Sequence, residues 1–238
     1  MIAIRDITVT FGGVIALNKV TVDLTDPVVG IIGPNGAGKT TVLNVLSGFL
    51  TPKTGSINAF GTELLSLKPH MRSRWGLRRS FQKEQVVDEL TVADNVGVVL
   101  DSLPLSAAER ERHLSAALEF AGLASVRRER AAGLNAFQRR MTEIARCSAG
   151  PAKVLLLDEP GAGLSQNEVE ILRRTISDVH AFNGAMTLLI DHDVDLIQAV
   201  CSSTMVLDFG SLVTSGPTRT VLSDPRVRAV YLGVEEVA

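Results

Sequence analysis

The stretch VVGIIGPNGAGKTTVLNVLSGFL, residues 28–50, constrains this chain more than any other. It opens with a short apolar run, as in a strand buried on both faces, and it continues with helical spacing. Between the two lies GPNGAGKTT, which fits G-x-x-x-x-G-K-[ST] in the strand-to-helix setting where that pattern carries meaning. A random chain of this length carries the bare pattern about once in a hundred cases, so a mere glycine turn is a poor rival. Gly33, Asn35, Gly36, Ala37 and Gly38 form the loop. Its glycines let backbone N–H groups turn inward around phosphate oxygens, and the helix that follows aims its positive end at the same anion. Lys39 supplies a charge for the β- and γ-phosphates, Thr40 a hydroxyl for Mg²⁺, and Thr41 completes the cradle.

KVLLLDEP, residues 153–160, is a second buried-strand signal, and it ends in two carboxylates. Asp158, at the end of four apolar residues, suffers desolvation unless it meets a cation, and Mg²⁺ is the expected one. Glu159 follows and points elsewhere by strand alternation, placed to orient or deprotonate an attacking water. MTLLIDHD, 186–193, repeats the buried-strand pattern, with a helix expected from about Gln166 to Phe182. Alternation of this kind predicts an α/β fold with a parallel sheet covered on both faces. Residues 2–9 and 19–24 alternate around FGG and predict an N-terminal antiparallel β layer, while 204–216 reads as a closing hairpin and 224–233 as a short terminal helix. Helix signals dominate 84–149, including the capping box SAAE at 106–109 before a stripe of Leu114, Ala117, Leu118 and Ala121. One domain is expected, with an α/β core of 1–83 and 150–238 and an inserted α-helical lobe of 84–149.

Composition narrows the function classes. Lys plus Arg number 24 against 26 Asp plus Glu, so no basic footprint for nucleic acid exists, and the arginines of 126–130 read as a solvated helix face. Cys147 and Cys201 lack metal-ligand spacing and fit free thiols in a reducing compartment. The N-terminus has no export-signal pattern, and no apolar run reaches the ~18 residues that cross a bilayer.

With the phosphate loop, the LLLDEP strand and the helical lobe in order, nearly the whole chain resembles ATP-binding cassette subunits. FGGVIAL, EPGAGLS and DPRVRAVYLG look most like the ATPases of branched-chain amino-acid importers. The resemblance implies a P-loop NTPase core that binds ATP and Mg²⁺ and hydrolyses ATP as two cassettes close. It implies that Phe11 stacks on adenine and that Gln82 links Mg²⁺ and the attacking water to a transmembrane permease subunit. It also implies that His192 contacts the γ-phosphate. Leu134, Asn135, Ala136, Phe137 and Gln138 fall on the five positions of the family's L-S-G-G-Q signature, which clamps the partner cassette's γ-phosphate, and only Leu134 and Gln138 match. Asn135 with Gln138 still reads as a capping box. The Phe137 ring either packs with Met141, Ile144 and Ala145 along one helix stripe, or leaves a signature that no longer supports turnover. Ser165 stands where an aspartate is common in the inter-subunit loop. A heterodimer with a second ATPase subunit is thus favoured over a homodimer. The importers resembled also use an extracytoplasmic solute-binding protein, and this subunit is expected peripherally on the cytoplasmic face of the membrane. Val86, Val87 and Leu90 read equally as a permease contact or as local core. The rival readings are a regulatory nucleotide-binding subunit with little hydrolysis and a soluble cassette ATPase outside transport.

Overall fold

A computed structural model describes residues 1–229 of the chain. In chain order its elements begin with β1 (Ile2–Phe11), β2 (Val14–Leu24), β3 (Val28–Ile32), α1 (Lys39–Ser47), β4 (Thr54–Ala59) and β5 (Thr62–Glu63). Next come α2 (Pro69–Trp75), β6 (Leu77–Arg79), α3 (Val92–Gly97), α4 (Ala107–Phe120), α5 (Ala136–Ser148), β7 (Val154–Asp158) and α6 (Gln166–Asn183). The chain continues through β8 (Met186–Ile190), α7 (Val194–Val200), β9 (Ser203–Asp208), β10 (Ser211–Pro217), α8 (Thr218–Ser223) and α9 (Pro225–Val227). Two compact units divide it: Met1–Arg72 with Leu188 onward, and Ser73–Thr187.

In the first unit β1 pairs antiparallel with β2 on one side and β4 on the other. Burial alternates along β1, so Ile2, Ile4, Ile7 and Val9 face the core. The register shifts between Ile4 and Ile7, and Asp6 and Lys19 both take positive φ there (49° and 48°). This bulge keeps the apolar alternation on one face despite the extra residue. Ile4, Ile7, Leu17, Val20 and Ile57 gather around Val42 and Val45 of α1, so the antiparallel layer packs over the helix that follows the phosphate loop. β3 is buried along its whole length and runs parallel to β9, which turns back antiparallel into β10.

In the second unit β6 and β7 are parallel, with Arg79 opposite Leu156. The capping box of Ser106 and Glu109 starts α4, whose Leu114, Ala117 and Leu118 are buried, and Gly122 beyond it takes φ +69°. Phe120 and Phe182 stack with ring centroids 4.2 Å apart, fastening the ends of α4 and α6. Residues 230–233 of the expected terminal helix lie outside the described residues, and within them α9 is a single turn.

Candidate functional site

The first unit carries the phosphate loop. Gly33 has φ +147°, and a Cβ there would stand 2.0 Å from the Leu207 carbonyl oxygen, so no other residue fits. Gly38 starts α1 in the left-handed region (φ +103°), where a Cβ would meet the Ala16 carbonyl oxygen at 2.7 Å. Gly36 (φ +80°) has nothing within 4 Å of its Cβ position, leaving the loop's rim open to an incoming group. Lys39 is buried, and its Nζ donates to the carbonyls of Gly33 at 2.7 Å and Pro34 at 2.9 Å. The loop therefore closes around its own ammonium. A buried ammonium at the start of a helix suits a multiply charged anion, and it fits a nucleotide's phosphates.

Ala37 is buried at the loop's base, whereas Asn35 and Thr40 are exposed and Thr41 is half-buried. Phe11, at the tip of the first hairpin, is 53% exposed. The next hairpin tip over, at Gly210, donates its N–H to the Ala37 carbonyl and accepts from the Asn18 N–H. Strand sequence alone gave no hint that this turn buttresses the loop. His192 is exposed on the segment between β8 and α7, just after buried Asp191, whose side chain accepts the Asp193 N–H.

The second unit carries the carboxylates. Asp158 is 4% exposed at the end of β7, and its backbone N–H donates to Ser80 Oγ at 3.3 Å. Arg79, on the neighbouring strand, brings its Nη2 within 3.5 Å of Asp158 Oδ2. Burial lowers the Arg79 pKa from its ordinary value and the Asp158 carboxylate pulls the other way. Sequence reasoning missed this guanidinium; the arginine in RRSFQ, ahead of Gln82, was the available signal. Glu159 takes φ 49°, a left-handed conformation costly for a residue with a side chain and frequent at functional sites. That turn re-aims the carboxylate, and Gln82 Nε2 donates to Glu159 Oε2 at 2.8 Å. Two residues singled out separately in the sequence thus meet.

Asp158 is a hard oxygen donor of the kind Mg²⁺ takes. Among the described residues no cluster of three or more His, Cys, Asp or Glu forms a cage.

The 134–138 segment leads into α5. Asn135 is the N-cap: its side chain accepts the Gln138 N–H at 2.8 Å, and Gln138 accepts the Asn135 N–H at 3.1 Å. Leu134 is buried, Asn135 and Ala136 are exposed, and Phe137 and Gln138 are half-buried, while Met141, Ile144 and Ala145 farther along the stripe are fully buried. Ser165 caps α6 with Glu168, which accepts its N–H and its hydroxyl. Val86 belongs to the core, whereas Val87 and Leu90 are exposed.

The cradle between β3 and α1 defines an α/β nucleotide-binding protein of the phosphate-loop class. The chain belongs to the ABC transporter family, which matches it over residues 17–162. It is an ATP-binding subunit of such a transporter. The lipopolysaccharide export system ATP-binding protein LptB of Acidithiobacillus ferridurans is 37% identical over 209 residues, spanning 88% of this chain and 86% of its own. The high-affinity branched-chain amino acid transport ATP-binding protein BraF of Pseudomonas aeruginosa is 33% identical over 249 residues, spanning 98% of each. The ADP conformation of MJ1267, an ATP-binding cassette of an ABC transporter, matches with a TM-score of 0.86 at 28% identity, over 98% of this chain and 99% of that one. The dimeric cassette MJ0796 bound to ADP and Pi shares the fold, with a TM-score of 0.80 at 21% identity over 92% of this chain and 99% of that one.

Proposed function

We propose that this subunit energises import of amino acids or a related small solute, and that the two sets of residues act on one Mg-ATP. The importer reading is supported by similarity to BraF along 98% of both chains, and similarity to LptB is the reason the direction of transport needs testing. The observation that carries the hydrolytic role is the Glu159 carboxylate, turned out of the strand by its left-handed backbone and held by Gln82.

In this reading the N–H groups of Gly36, Ala37, Gly38, Lys39 and Thr41, with Gly33 and Asn35 shaping the loop, bind the phosphates. Lys39 exchanges its carbonyl partners for phosphate oxygens. Thr40, Asp158 and Gln82 would hold Mg²⁺, which would offset negative charge on the phosphate oxygens. Glu159 orients the attacking water and accepts its proton, Gln82 fixes the carboxylate's direction, His192 contacts the γ-phosphate and Phe11 stacks on the base. ATP favours the closed cassette pair and hydrolysis lets it reopen, shifting the permease between states.

Leu134, Asn135, Ala136, Phe137 and Gln138 face the partner cassette's nucleotide. The formed cap keeps the positive helix end, while Phe137 in place of glycine obstructs close approach. A second ATPase subunit with an unobstructed signature is therefore the favoured partner, alongside permease subunits and an extracytoplasmic solute-binding protein, and nucleic acid is not a ligand. No described helix is long and apolar enough to cross a membrane. Attachment to the cytoplasmic face of the membrane then runs through the permease. A regulatory subunit with little hydrolysis is the second reading, favoured by Phe137 at the start of α5 in place of glycine. ATP turnover of the chain alone and of its co-purified assembly separates the two. Stimulation that vanishes with Glu159→Gln in this chain supports a hydrolysing subunit, and stimulation indifferent to it supports a regulatory one.

A further inference from the structure

Glu143 lies on α5 and is fully buried, a costly place for a carboxylate. Burial pushes its pKa up, opposed by the Gln85 N–H and the charges of Arg140 and Arg146. Its Oε2 accepts from Arg140 Nη1 at 2.7 Å; its Oε1 accepts from Arg146 Nη2 at 3.3 Å and from the Gln85 backbone N–H at 2.9 Å. The same arginines hold the other side of that segment. Arg140 donates to the carbonyls of Phe81 at 3.2 Å and Gln82 at 3.3 Å, and Arg146 donates to the carbonyl of Gln85 at 2.6 Å. Three charged side chains on one helix thereby fix the backbone on both sides of Gln82, the residue that reaches Glu159 at 2.8 Å.

A core helix face needs none of this: an apolar residue at 143 avoids the desolvation, and buried ion pairs contribute little net stability. What the arrangement does supply is geometric definition of a loop that has no regular secondary structure of its own between Ser80 and Leu90.

We infer that Glu143, clamped by Arg140 and Arg146, is a positioning residue that sets the Gln82–Glu159 contact, and so ties the helix beginning at Asn135 to the hydrolytic carboxylate of the same chain. The inference rests on the proposed roles of Gln82 and Glu159. A change at the Asn135 end of α5 moves the anchors of Gln82 with it, because all three charged groups ride on that helix.

The test is a mutant cycle in the full-length chain within its hydrolytically active assembly. Glu143→Gln should lower kcat about tenfold through a misplaced Gln82, with the KM for ATP changed by less than about twofold. Added to Gln82→Ala, it should lower kcat no further, because both changes remove one effect. Arg146→Lys, which keeps a charge beside Glu143, should give a smaller loss of the same kind and serves alone where Glu143→Gln does not fold. In the isolated full-length chain the side-chain amide NMR signal of Gln82, assigned by its loss in Gln82→Ala, should shift in both variants. An unshifted signal overturns the inference, and so does a double variant whose kcat losses multiply. If Gln82→Ala keeps full turnover, the proposed role of Gln82 falls instead, and the amide signal alone decides the anchoring.

Discussion

Gln82 and Glu159 are joined by a 2.8 Å hydrogen bond from the side-chain amide to the carboxylate, although one follows β6 and the other ends β7. Those strands are parallel neighbours, so their C-terminal ends lie side by side, which is where ligands bind in open α/β sheets. The left-handed backbone of Glu159 completes the meeting by turning its side chain out of the strand's alternation.

Glu159→Gln should lower steady-state turnover about a hundredfold or more, the loss expected when a positioned general base is removed. ATP affinity should hardly change, since the phosphate loop is untouched. Phosphate release and nucleotide binding, measured on the same preparation, check this; equal losses in both would remove Glu159 from the chemical step.

Phe137→Gly should raise turnover in the assembly by opening the start of α5 to close approach. The ring is half-buried, so its loss also thins the packing near the buried Met141. The thermal midpoint should therefore fall as the rate rises. An unchanged rate argues against obstruction.

Asn135→Ala tests the cap separately. It removes the acceptor for the Gln138 N–H and should destabilise the chain by about 1 kcal/mol, read as a shift of the urea midpoint. A stability change near zero would mean that the cap bond is replaced by water at no cost.

Val87→Asp should uncouple transport while sparing basal ATP hydrolysis, because Val87 is 48% exposed whereas Val86 beside it is 8% exposed. Val86→Asp is the control: it buries a carboxylate and should cost folding. Transport and hydrolysis assays on both variants distinguish a docking residue from a core residue.

Cys147 and Cys201 are both buried, and burial pushes each thiol up to about 12. The folded values lie above the unfolded value of about 8.5. Their contribution to stability is therefore complete below pH about 8.5 and is lost as pH rises from there toward 12. Urea midpoints should fall on the alkaline side more steeply in the parent chain than in a Cys147→Ala/Cys201→Ala double variant. Native thiols should also label slowly at pH 8, since only the thiolate reacts.

The parts of the fold legible in the sequence were those written in continuous apolar runs or capping pairs. β3, β7 and β8 are fully buried and almost wholly apolar, with Thr187 in β8 and the terminal Asp158 of β7 as the polar exceptions, and Ser106–Glu109 and Asn135–Gln138 declare their helix starts. β4 was not legible, because TGSINA buries only Ile57 and Ala59 and owes its extended form to pairing with β1. Nor was β6, whose LRR reads as surface although Leu77 and Arg78 are buried and Arg79 nearly so. The same applies to the site. The phosphate loop is local in sequence and was readable as a motif. The contacts of Arg79 with Asp158 and of Gln82 with Glu159 depend on which strands are neighbours, and single-chain spacing does not encode that. Nor does the sequence mark Glu143, since an isolated carboxylate between Met141 and Ile144 gives no sign of the two arginines that fold onto it.

Titration calorimetry with ATP, with and without Mg²⁺, tests the account most directly, on the full chain and on Lys39→Ala, each alone and in the assembly. The account predicts Mg²⁺-strengthened binding by the parent chain, sharply weakened in Lys39→Ala, where the buried ammonium at the loop carbonyls is gone. Binding of equal strength in both proteins, or none in the parent, would contradict it.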